Sequence, residues 1–169
     1  MERVLVLGLG NLILGDDGLG ILLVRLLRKE GIFPENVDFE ETEESGLGIL
    51  EIAGGYDRLI LIDSIQSIGN LPQGTIIDVT EGTYSNLSGW GSHYIGFFEM
   101  KKLAEMASIP FPSELNILGI NIDDPFRIDF NISEGIRKIL PEIQEKLEDK
   151  IRELCCRKEC GQEKFDKIH

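Results

Sequence analysis

A single α/β domain, built on a mainly parallel twisted sheet of about five strands with helices on both faces, is the fold this sequence predicts. Three observations predict it. Short apolar runs of buried-strand length recur along the chain. They alternate with segments of helical periodicity, the pattern of a parallel sheet joined by crossover helices. With 169 residues, 42% hydrophobic and 28% charged, the chain has one domain's worth of globular material and enough of it for a substantial core.

The first run is Val4-Leu5-Val6-Leu7, which breaks at Gly8 and Gly10 and passes through Asn11 and Gly15 to the adjacent acids Asp16 and Asp17. A helix follows on Leu19, Leu22, Leu23, Leu26 and Leu27. Arg25, Arg28 and Lys29 suit the negative end of its dipole, and Gly31 and Pro34 supply the stop. Residues 37–41 read as a second strand and 46–53 as one or two helical turns. Residues 58–62 are a clearer third strand, running into Asp63-Ser64 at its end. Residues 75–79 form a fourth strand after the turn Pro72-Gln73-Gly74.

A polar loop, 81–92, holds the only tryptophan, Trp90, and closes at His93. Residues 95–106 show helical spacing at Phe98, Leu103 and Met106, and 115–120 are a fifth strand that leads to the loop Asp123-Asp124-Pro125. From Ser133 the stripe Ile136, Leu140, Ile143, Leu147, Ile151 and Leu154 marks a long amphipathic helix. Pro141 predicts a kink in it, or two abutting helices. Beyond Leu154 the stripe is lost, so the domain is expected to span 1–154 and to leave a mobile tail over 155–169.

The net charge is −13. Nucleic acid and anionic membrane both call for a basic face, so neither is expected as the principal partner. No secretory leader and no run of transmembrane length is visible, and a cytoplasmic protein is expected. The three cysteines, Cys155, Cys156 and Cys160, are odd in number and crowd the C-terminus, which does not suggest a secreted disulfide framework. A cysteine nucleophile among them would be remote in sequence from the strand-end loops.

Two chemistries compete for the opening loop. Gly8-Leu9-Gly10 invites a phosphate, but Ile13 stands where a dinucleotide fingerprint wants its third glycine, and no P-loop Lys-Ser or Lys-Thr follows. Asp16 and Asp17 would also repel an anion at the helix N-terminus. A cation suits the loop better. Asp17 follows strand one, Asp63 ends strand three and His93 follows strand four, so in a parallel sheet all three would emerge at one edge. Two carboxylates and an imidazole suit a borderline divalent metal with positions left for water or substrate. Singly, each has an ordinary reading as a turn or helix-end residue, and Asp16 is placed to cap the first helix. No serine sits in a Gly-x-Ser-x-Gly elbow.

The run from Gly8 to Gly20, with Leu59-Ile60-Leu61-Ile62-Asp63-Ser64 and Ser92-His93-Tyr94-Ile95-Gly96, resembles the hydrogenase maturation endopeptidases over residues 1–145. The resemblance implies an aspartyl-type, metal-dependent endopeptidase that removes a C-terminal extension from the large-subunit precursor of a nickel-iron hydrogenase after nickel insertion. It implies that Asp17, Asp63 and His93 contact the metal, nickel supplied by the precursor, with another divalent cation able to take the site in isolation. Gly8, Gly10 and Asn11 would shape the loop presenting Asp17. The chain departs from the family at Thr42-Glu43-Glu44-Ser45-Gly46, where a glycine and threonine rich stretch is usual, and at Ser133-Glu134, where a Ser/Thr-Pro pair is common. The alternatives are a non-catalytic metal or cofactor-binding accessory protein on the same fold and, less favoured, a nucleotide-binding module.

Overall fold

The computed structural model describes residues 1–44, 46–66, 71–80 and 91–156, apart from the side chains of 91–96. Its central strand is β1 (Val4–Leu9), buried at every position. Parallel neighbours flank it, β2 (Val37–Thr42) on one side and β3 (Arg58–Gln66) on the other. β5 (Glu114–Ile122) runs parallel to β3 along its whole length, and the short β4 (Ile76–Val79) closes the far edge antiparallel to β5. The order is β2-β1-β3-β5-β4. Four strands are thus parallel and the fifth is reversed, so β4 ends at the edge opposite to the one expected of it.

Helices cover both faces because successive strand residues point to opposite sides. On one face α1 (Leu19–Glu30) and α4 (Glu134–Cys156) pack on Val4, Val6, Ile60, Ile62, Leu118 and Ile120. On the other, α2 (Gly48–Ala53) and α3 (Gly91–Ala107) pack on Leu5, Leu7, Leu59, Leu61 and Ile117. Burying each such aliphatic side chain contributes roughly 1.5–3 kcal/mol.

α1 ends as expected, at Gly31 in the left-handed region (φ 63°) with Arg28 and Lys29 in its last turn. Two helices differ from the sequence reading. In α3 the inward residues are Phe97, Met100 and Ala104, whereas Leu103 and Met106 are exposed. In α4 the helix continues through Pro141 without a break. Pro141 lies on the exposed face, where water can satisfy the carbonyl it orphans, while the buried stripe from Ile136 to Leu154 stays continuous. The helix also takes in Cys155 and Cys156, and the expected tail from 157 onward lies outside the described residues.

Candidate active site at the β1–β3 crevice

The chain leaves β1 toward β2 on one side and later returns to β3 on the other, which makes the β1–β3 border the switch point of the sheet. Open α/β folds place ligands in the crevice there. β1 pairs with β3 up to Gly8 opposite Ile62, and β3 then continues to Gln66. Asp63 is therefore not a strand-end turn residue. It is the first β3 residue past its pairing with β1, held in the strand by its register with Gly119 of β5.

Glycine geometry brings the loop to this point. Gly10 has φ 153°, and a Cβ there would stand 2.2 Å from the Asp17 carbonyl oxygen, so the loop folds closely on its own acidic turn. A Cβ on Gly20 would meet the carbonyl oxygens of Leu9 at 2.3 Å and Ile62 at 2.5 Å, and one on Gly8 would meet that of Gly20 at 2.5 Å. The start of α1 is thus pressed onto β1 and β3. The close-packing part that a third fingerprint glycine would play falls to Gly20.

Asp17 sits in a 3-10 turn, Gly15–Gly18, with its carboxylate half-buried. The Asn11 N–H donates to its Oδ2 at 3.1 Å, and the Ser64 hydroxyl donates to its Oδ1 at 2.9 Å. Asn11 Oδ1 in turn accepts the Ile13 N–H at 3.1 Å. Asp63 Oδ1 accepts the Ser64 N–H at 2.8 Å. Both carboxylates therefore meet at Ser64, one through its hydroxyl and the other through its amide. By strand alternation Asp63 belongs to the face that α3 covers, and Ser64 to the face of α1.

His93 stands in the first turn of α3 rather than in a loop. The expected route to it fails, because β4 is antiparallel. Another route replaces it. α3 ends at Ala107 and connects through 108–113 to the first residue of β5, with Lys101 Nζ donating to the Ser113 carbonyl at 2.6 Å. The first turn, with His93, is the end of α3 away from that amino edge. The His93 side chain, Ser45, Trp90, Cys160 and His169 lie outside what is described. Among the described residues no cluster of three His, Cys, Asp or Glu is placed to hold a metal ion.

Asp16 does not cap α1, whose N-cap is Gly18 with no side-chain bond. It is 3% exposed, and its Oδ1 accepts the Ser133 N–H at 2.5 Å. The Ser133 hydroxyl then accepts the Ile136 N–H at 3.2 Å and so caps α4. Asp16 is structural, as expected, but for the last helix instead of the first.

The glycine loop does not present an anion cradle. The Asn11 amide that a phosphate would take already donates to Asp17. Cys155 is at the other end of β3, beside Arg58, and burial pushes its thiol above the ordinary range, the opposite of what activates a nucleophile.

Sequence reasoning missed two residues. Ser64 was legible only as a serine outside an elbow, and its partner lies 47 positions away. Glu43, in the segment that departs from the family, accepts the Leu12 N–H at 3.0 Å and ties the end of β2 to the Asp17 loop.

No family model matches the chain. Curated proteins and solved structures do. The hydrogenase 2 maturation protease of Escherichia coli strain K12 is 28% identical over 120 residues, 70% of this chain and 72% of that protein. The hydrogenase expression/formation protein HupD of Rhizobium leguminosarum is 29% identical over 120 residues, 69% of this chain and 58% of that one. The solved E. coli hydrogenase maturating endopeptidase HybD superposes with a TM-score of 0.67 at 25% identity, over 89% of this chain and 93% of that one. The chain is similar in sequence and fold to hydrogenase maturation endopeptidases. Those relatives are hydrolases by name, a maturation protease and a maturating endopeptidase. Its five-stranded, mostly parallel α/β sheet is the HybD-like fold.

Proposed function

We propose that the chain removes the C-terminal extension from the large-subunit precursor of a nickel-iron hydrogenase after nickel insertion, as a metal-dependent, aspartyl-type endopeptidase of the cytoplasm. The observation that supports this reading is the convergence of Asp17 and Asp63 on Ser64 at the switch point of the sheet. Gathering like charges costs stability unless a cation or proton answers them. Two carboxylates and the imidazole of His93 are a donor set for a borderline divalent ion such as nickel, which arrives as part of the substrate. Another divalent cation would take its place in the isolated protein. Gly8, Gly10 and Asn11 present Asp17, and Ser64 fixes its orientation. A metal held there can polarise a carbonyl as a Lewis acid.

The deciding experiment is incubation of the protein with precursor, with and without inserted nickel, read by the mass of the large subunit. Cleavage of the nickel-loaded form, lost in a well-folded His93→Ala variant, is the expected result. Normal processing by that variant would remove the site assignment. Metal binding without any cleavage would turn the reading to an accessory protein.

A further inference from the structure

We propose that the exposed apolar ridge of residues 126–130 is the surface on which the folded body of the precursor docks; the inference rests on the function proposed above. Phe126, Ile128 and Phe130 are 64%, 83% and 82% exposed, while Arg127 and Asp129 between them are half-buried. This is the two-residue alternation of a strand with its polarity inverted, apolar side out. Single exposed hydrophobics are ordinary, but three within five residues gather apolar area on one short segment.

The ridge is anchored to the site. The Gly15 N–H donates to the Asp129 carbonyl at 2.7 Å, and the Asp129 N–H donates to that of Ile13 at 3.1 Å. Leu14 and Asp129 form a parallel bridge, and Ile13, 50% exposed, extends the apolar surface toward the loop that carries Asp17. The four side chains offer roughly 500 Å², against about 800 Å² per partner in a standard interface. The remainder would come from the crevice itself.

Charge selects the occupant. Exposed Asp123 and Asp124 precede the ridge, and the whole chain carries a net charge of −13. An anionic membrane is disfavoured on that ground. A protein presenting an apolar patch rimmed by Lys and Arg is favoured. A body seated on the ridge brings its own terminus to the adjoining crevice. Binding energy from a surface remote from the cut bond is a means of restricting an endopeptidase to one protein.

The test is cleavage kinetics on nickel-loaded precursor with the double variant Ile128→Ser/Phe130→Ser, and with Ile128→Asp alone as a second arm, each checked by thermal melting. The expected result is a KM raised about tenfold with kcat within about twofold, since interface anchors act on association more than on chemistry. His93→Ala serves as the control that still binds precursor and does not cut. An unchanged KM in folded ridge variants, beside a wild type that cuts, overturns the docking surface and leaves the function standing. A wild type that cuts no nickel-loaded precursor overturns the function and the docking surface with it. A wild type that sediments alone as a dimer and becomes a monomer in the double variant assigns the ridge to a second copy, and also overturns the proposal.

Discussion

At its first residue β3 carries Arg58, 1% exposed, with Glu114 Oε2 at 2.7 Å and Glu2 Oε2 at 3.6 Å, and with a guanidinium N–H donated to the Leu154 carbonyl. Further along the same strand, the Ser64 hydroxyl donates to half-buried Asp17 and the Ser64 amide donates to the Asp63 carboxylate. The amino end answers a buried cation with opposite charges that still reach water. α4 has no basic residue in its own last turn, and Arg58 supplies one from the sheet, where it also suits the helix dipole. At the other end, like charges are collected around one serine. Opposite charges paired at a strand end hold a fold, whereas like charges gathered at a sheet edge cost stability unless a cation or proton answers them.

Four measurements would break or sharpen this contrast. The largest effect belongs to the crevice: Asp63→Asn should lower processing on the order of a thousandfold, the scale on which lost electrostatic groups act. Its melting temperature should hold or rise, because a repelling charge has gone. A parallel loss of stability would show that Asp63 serves the fold instead.

Arg58→Ala should cost about 2–3 kcal/mol in urea unfolding. That is below the range for a fully buried pair, because the Glu2 and Glu114 side chains are 25% and 40% exposed and can turn to water. Folded Arg58→Ala should process at the normal rate. A processing defect would erase the division between the two ends.

Ser64→Ala should remove about 1 kcal/mol of stability, the worth of one hydrogen bond, and weaken divalent-cation binding about tenfold by freeing Asp17 to rotate. Equal cation affinity in the variant would assign the hydroxyl to packing.

The smallest effect concerns pH. The hydrogen bond and charge of Arg25, with Arg28 nearby, hold the Glu41 carboxyl below its ordinary value. A depressed folded value contributes stability above the ordinary glutamate range, and that contribution is lost as pH falls through the lowered value. Removing it with Glu41→Gln should flatten the acid limb of a melting-versus-pH curve by less than about 1 kcal/mol. An unchanged acid limb would mean that the pair contributes nothing.

Much of the frame was readable because β1 and β3 are continuous apolar runs that admit little else. The inward face of α3 was not. Its apolar residues surround much of the helix, so Leu103 and Met106 drew the stripe away from Phe97, Met100 and Ala104, which face the sheet. The direction of β4 was equally hidden, since four residues carry no signal for parallel against antiparallel pairing. Asp63 was misplaced as a strand end, because β5 supports β3 beyond the point where β1 leaves it. Asp16 and Ser64 have partners far along the chain, so their tasks exist only once the fold does.

The bond from buried Asp16 to Ser133 has a mechanical side. With Arg58 gripping the Leu154 carbonyl, α4 is fastened near both ends, like a strut laid across the sheet. Glu43 braces the acidic loop from β2, and Asp129 braces it from the opposite side. The loop that carries Asp17 is thus tied by hydrogen bonds to two other segments of the chain, so a load placed on it passes to the end of β2 and to the stretch before α4.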